Sequence, residues 1–120
     1  DMIKFISGRL KAIYYSLKGA LYLIKTEHSI QAQIFIAILF VIAGNYLDLS
    51  ITEWLFVLLA ISLVLTAESL NSAIEKVADF IHPDFNKKIK LIKDVSAGAV
   101  FFAFLFALAV VCLVYIPKLS

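Results

Sequence analysis

The sequence predicts an all-α integral membrane protein, with an N-terminal amphipathic surface helix followed by three transmembrane helices. Three observations predict it. Of the 120 residues, 62% are hydrophobic, where a soluble domain carries about 45–50%. The excess is gathered into three long blocks, and mean hydropathy is +0.96. The charges collect at the ends of those blocks rather than within them. With only 2 Pro and 4 Gly there is no flexible linker, so residues 1–120 are expected to form one domain.

Each element has its own signature. Ile3, Ile6, Leu10, Ile13, Leu17, Leu21 and Ile24 make a helical apolar stripe over residues 1–26. Lys4, Lys11, Lys18 and Lys25 recur every seven residues on one flank, and Arg9 stands on the other. This is the pattern of a helix lying in the membrane interface with its lysines reaching headgroups. Spans are predicted at about 30–47, 51–74 and 96–116, with Trp54 as an interface anchor near the start of the second and Tyr115 and Pro117 at the end of the third. Ten of the eleven Lys and Arg residues fall in 1–27 or 76–94. By the positive-inside rule the N-terminus and the 76–94 connection are cytoplasmic. No compact apolar core with a small-residue cleavage site follows the basic N-terminus, so no cleaved leader is expected within these residues.

The formal net charge of +2 gives no field for binding nucleic acid. The single Cys112 allows no intrachain disulfide, and no Cys/His metal spacing occurs. There is no GxxxxGK[ST] loop, so any phosphate must be handled by metal and lysine.

The chemistry lies in "AESLNSAIEKVAD", Ala67–Asp79. At about 100° per residue, Glu68, Asn71, Glu75 and Asp79 share an arc of about 80°. Glu68 lies about 26 Å along the second span from Ile51, just inside the edge of a hydrocarbon layer ~30 Å thick. Glu75 lies about 10 Å further on, in the headgroup region. A carboxylate held in a poorly solvated place accepts a proton more readily than one in water, which suits general-base work. It would otherwise serve as a hydrogen-bonding group between helices. Glu75 gains meaning with a second acid, since Mg²⁺ takes one or two carboxylates plus phosphate oxygens. Glu27 stands at a similar depth at the start of the first span, where it could equally be a helix N-terminal charge. Asn71 could join helices, and Asp79, Asp84 and Asn86 read as solvated by default. Lys93 and Asp94 open the third span at the depth of a phosphate. Gln31 and Gln33 are an isolated polar pair at the mouth of the first span. Ala99, Ala103 and Ala107 form a small-residue packing face.

The stretches Glu68–Glu75 "ESLNSAIE", Asp79, Lys93–Val100 "KDVSAGAV", Tyr15–Ala20 "YSLKGA" and Thr26–His28 "TEH" resemble the prokaryotic diacylglycerol kinase family of small membrane lipid kinases, which includes undecaprenol kinases. The resemblance covers nearly the whole chain. It implies a homotrimer in the bacterial cell membrane with composite sites between protomers at the cytoplasmic interface. It implies transfer of the γ-phosphate of ATP, with Mg²⁺, to the hydroxyl of diacylglycerol, giving phosphatidic acid. Undecaprenol is the alternative acceptor. Carried over, Glu68 is the general base, and Glu27 and Glu75 hold the metal. Tyr15, Glu27, Asn71, Glu75, Asp79, Asp84, Asn86, Lys93 and Asp94 lie around the nucleotide. Arg9, Leu17, Leu21, Gln31, Gln33, Glu68 and Ala97 lie around the lipid. The family often has a basic residue or His where Gln31 and Gln33 stand, which makes that segment the place to look for lipid choice. The "LSITEW" turn and "YIPKLS" tail look more like the undecaprenol kinase branch.

A proton-relay or ion-conducting protein with Glu68 as its titrating group is the rival from another class. A relay needs acids spaced through the bilayer. Here none lies between Glu53 and Glu68.

Overall fold

The computed structural model describes all 120 residues, and every regular element is helical. Helix α1 spans Met2–Thr26, α2 His28–Tyr46 and α3 Ile51–Ile81. Helix α4 spans Lys87–Val110 and continues through a wide π-helical turn, Val111–Tyr115, into a last turn, α5, at Ile116–Leu119. The N-terminal helix and the three long apolar helices of the sequence prediction are present.

Helix α1 starts where the Asp1 carboxylate accepts the Ile3 N–H at 2.8 Å, satisfying one of the free donors of the first turn. It buries none of its residues, so its apolar stripe is left for a membrane surface. The chain breaks at Glu27 alone, which is extended (φ −100°, ψ 114°). The Gln31 amide fastens this corner, donating to the carbonyls of Ile24 (2.9 Å) and Lys25 (3.3 Å). Those carbonyls end α1 and have no partner within their own helix.

Between α2 and α3 the turn is tight. Asp48 takes a positive φ of 54°, and Ser50 and Glu53 form a reciprocal capping box at the start of α3. Gly44 lets α2 approach the Trp54 ring: a Cβ there would sit 2.7 Å from the ring edge and 3.0 Å from Leu49. Gly98, in α4, would meet nothing within 4 Å. Gly44→Ala is therefore expected to lower the thermal midpoint in detergent. Overpacking costs about 1–3 kcal/mol, against at most ~1 kcal/mol of helix propensity gained. Gly98→Ala is expected to leave the midpoint unchanged or raise it; circular dichroism melts of both variants compare the two.

Helices α3 and α4 run antiparallel. Leu49, Val57, Ala60, Val110, Val114 and Tyr115 form the buried cluster at one end, and Asp79 pairs with Lys93 at the other (2.6 Å). Pro117 has no N–H to give Leu113, and its ring crowds that carbonyl. The π-helical turn just before it relieves this conflict. The same turn leaves Tyr115 buried, its hydroxyl donating to Phe40 O at 2.8 Å and tying α2 to the C-terminal helix.

Only 15 of 120 residues are buried, while most large apolar side chains of α2, α3 and α4 stand exposed. No water-soluble fold leaves so continuous an apolar surface, and the three helices are each long and apolar enough to cross a bilayer. The protein is a multi-pass membrane protein.

The connection expected over 76–94 is mostly helix. Helix α3 persists to Ile81, and α4 already begins at Lys87, because the Asn86 side chain accepts the N–H groups of Lys88 and Ile89. Only 82–86 is non-helical. At 31 residues, α3 is about 46 Å long and outruns the ~30 Å hydrocarbon layer. Its last turns, with Glu75, Lys76 and Asp79, project beyond it.

Candidate active site

Two spaces meet along α3. The first is an apolar groove of about 470 Å³ between α2, α3 and α4, to which α3 contributes Val57, Ala60, Ile61, Val64 and Leu65. Gln33 is its only non-hydrophobic lining residue. The second is a cleft of about 450 Å³ between α1 and α3, lined by small and hydroxyl-bearing side chains with one lysine. Ser16, Gly19, Ala20, Tyr22 and Leu23 face Ser69, Ser72, Ala73 and Lys76 across it. Small side chains on both helices leave this space. The Ser16 and Ser69 hydroxyls donate back to Ile13 O and Leu65 O in their own helices, which leaves their lone pairs free to accept.

Glu68 lies between the groove and the cleft along α3 and lines neither. It follows the last groove residue of α3, Leu65, by one turn and precedes the first cleft residue, Ser69. Its helical angle coincides with the groove face, and the cleft face is turned by about 100°. It is 8% exposed, the one acidic residue that is buried. Asn71 is half-buried with Oδ1 enclosed and unpaired, as is Ser96 Oγ on α4. An enclosed acceptor without a donor is costly, so both atoms are suited to a partner from outside the chain.

Glu27 sits in the α1–α2 break, where it reaches across to α3 and its Oε1 takes a hydrogen bond from Lys76 Nζ. The Lys76 ammonium, helped by the Ser72 hydroxyl, holds its carboxyl below the usual carboxylate range. Glu27 is therefore an anion throughout the neutral range. The pairing is with Lys76 and not directly with Glu75, which is exposed on the neighbouring flank of α3. Lys76 also feels the charge of Glu75, but Glu27 is the carboxylate it bonds.

The other expected site residues divide into ion-paired and open positions. Lys93 donates to Asp79, and Asp94 accepts from Lys90 at 2.8 Å. Asn86 is engaged as the α4 cap, and the Asp84 carbonyl accepts from His82 Nδ1 at 2.9 Å, leaving the Asp84 carboxylate exposed. Arg9, Tyr15, Leu17 and Leu21 are exposed on α1, with Tyr15 edge-to-face on Tyr14. Ala97 is exposed on α4. Gln31 caps α1, while Gln33 lines the groove, so the two glutamines do not act as a pair.

Sequence reasoning passed over Lys76, Ser72 and Tyr22. Lys76 counted only as a topology charge, and the serines carry no signal until α1 and α3 are seen to face one another. No three His, Cys, Asp or Glu side chains converge as a metal cluster. The donors available at this end of α3 are the Glu27 and Glu75 carboxylates and the Asn71 amide oxygen, the last two on the Glu68 face of the helix rather than the cleft face. All are hard oxygens, fitting a cation such as Mg²⁺ that fills most of its shell with phosphate and water.

Residues 14–115 match the family model described as prokaryotic diacylglycerol kinase. The undecaprenol kinase of Bacillus subtilis (strain 168) is 31% identical over 109 residues, 91% of this chain and 89% of its own. A diacylglycerol kinase of Helicobacter pylori (strain J99) is 29% identical over 100 residues, 79% of this chain and 78% of its own. A diacylglycerol kinase of Synechocystis (strain PCC 6803) is 30% identical over 113 residues, 92% of this chain and 65% of its own.

Proposed function

The chain belongs to the prokaryotic diacylglycerol kinase family and is thus a membrane lipid kinase; from that premise we propose that it phosphorylates diacylglycerol with ATP and Mg²⁺ to give phosphatidic acid. The observation that carries this is the position of Glu68. It is the one buried acid, one turn beyond the apolar groove on the same face of α3, at the head of the stripe that runs on to Asn71, Glu75 and Asp79. A lipid lying along the groove brings its hydroxyl to Glu68 while its chains stay in hydrocarbon. A nucleotide reaches Glu68 along the same face from the far end of α3, where Glu75 and Asp79 follow.

In this reading Glu68 takes the proton of the lipid hydroxyl as its oxygen attacks the γ-phosphorus, and ADP leaves. Phosphoryl transfer is chiefly positioning and charge stabilisation, so little else is asked of the protein. Glu27 and Glu75 would hold the metal, which supplies charge neutralisation on the phosphates. Asn71, Asp79, Lys93 and Asp94, with Tyr15 and the Asp84–Asn86 stretch, border the nucleotide. Arg9, Leu17, Leu21, Gln33 and Ala97 border the lipid. Ten of the eleven basic residues flank one side of the spans, which supports placing the N-terminus and the 82–86 loop in the cytoplasm of a bacterial cell. A homotrimer with sites completed between protomers belongs to the same reading and rests on membership of the family.

Undecaprenol is the second acceptor, favoured by the Bacillus relative. The site selects a primary alcohol at a given depth, and only the groove can sort the tails. Gln33→Leu, which removes the groove's one polar lining group, is expected to shift the ratio of the two initial rates severalfold with ATP affinity unchanged. Gln31→Ala should loosen the α1 corner and lower both rates together. If neither variant moves the ratio, lipid choice lies outside this segment.

A further inference from the structure

Lys76 has no part in the reaction as described, yet it holds a central position. Its Nζ bonds Glu27 in the break between α1 and α2 and lies 5.7 Å from the centroid of the Tyr22 ring on α1. It is the only charged residue lining the cleft between α1 and α3. Its side chain is 49% exposed, so it is no locked interior pair, and a flexible four-carbon stem lets the ammonium swing by several ångström. Glu27 is the carboxylate assigned above to the metal. An ammonium and a divalent cation repel one another across a shared carboxylate, so a metal on Glu27 weakens the hold of Lys76 on it.

Resting on that assignment of Glu27, we propose that Lys76 is the site's internal counter-cation and a phosphate-binding residue. It holds Glu27 against α3 when no nucleotide is bound, and it moves to the polyphosphate when metal and nucleotide claim the carboxylate. The exchange conserves charge pairing: the carboxylate trades an ammonium for a metal, and the ammonium trades a carboxylate for a phosphate. The ring of Tyr22 gives the ammonium a favourable surface beside the path, and the cleft lies directly alongside.

The test uses full-length protein in detergent and two probes, Mn²⁺ alone followed by electron paramagnetic resonance, and inorganic tripolyphosphate without metal followed by calorimetry. Lys76→Met is expected to bind Mn²⁺ about tenfold or more tightly than the parent, because the internal competitor is gone. It is expected to bind tripolyphosphate about tenfold or more weakly, the scale of one charge-assisted hydrogen bond. Lys76→Arg, which keeps the charge and guards against a folding defect in the Met variant, should stay close to the parent in both. A merely structural lysine would not tighten metal binding on removal. Glu27→Gln separates the two ideas. If it abolishes Mn²⁺ binding while Lys76→Met leaves Mn²⁺ affinity unchanged, the role of Lys76 is overturned. If Mn²⁺ binds Glu27→Gln as well as the parent, the metal assignment itself fails, and the Lys76 proposal fails with it.

Discussion

A Glu68→Gln variant is expected to keep its helix content and its ATP affinity and to lose about 10²–10⁴ in turnover, the range for removal of a general base. Glutamine has the same shape and can occupy the same buried position, but it cannot accept the hydroxyl proton. The separation of effects follows from the geometry. Glu68 lies on the groove face of α3, about 10 Å short of Glu75 along the helix axis, so it is nearer the lipid hydroxyl than the residues that hold the nucleotide. Single-turnover transfer from labelled ATP measures the chemical step, and a bound nucleotide analogue measures affinity. Near-parental turnover in a folded Gln variant would remove Glu68 from the chemistry.

Charge removal at the metal carboxylates should have the second largest effect. Glu27→Gln and Glu75→Gln are each expected to raise the Mg²⁺ concentration needed for half-maximal activity by about 10–100-fold, at least the scale on which even outer-shell partners act. Nucleotide affinity measured with Mg²⁺ should fall in parallel. The two variants should not be alike without metal. Glu27→Gln frees Lys76 for phosphate, whereas Glu75→Gln leaves the Lys76–Glu27 pair intact. Metal-free nucleotide should therefore bind the Glu27 variant more tightly than the Glu75 variant. An unchanged Mg²⁺ requirement in both would show that the metal is held elsewhere.

The parts of this molecule legible in the sequence are those written in one helix at a time. The lysine spacing and apolar stripe of residues 1–26 predict α1, which is a single helix from Met2 to Thr26. Hydropathy finds the three long helices, and the period of Glu68, Asn71, Glu75 and Asp79 places them on one face of α3. Where a helix end is decided by a cap, hydropathy misplaces it. The Asn86 side chain starts α4 at Lys87 in a stretch of lysines that reads as a polar loop. Contacts between helices were less legible. Depth alone brings Glu27 level with Glu75, but the angle at which α2 leaves the Glu27 break turns its carboxylate to Lys76. Likewise Gln31 and Gln33 are two residues apart and so about 200° apart around α2. One turns back to cap α1, the other forward into the groove.

The identity of the acceptor is the central claim, and one measurement addresses it directly. Purified protein in mixed micelles is given γ-labelled ATP and Mg²⁺ with diacylglycerol or undecaprenol at equal surface mole fraction, and initial label in the extracted lipid is compared. The account predicts Mg²⁺-dependent label in both lipids, faster in diacylglycerol, with both signals lost in Glu68→Gln. Label that appears in undecaprenol and not in diacylglycerol would contradict it.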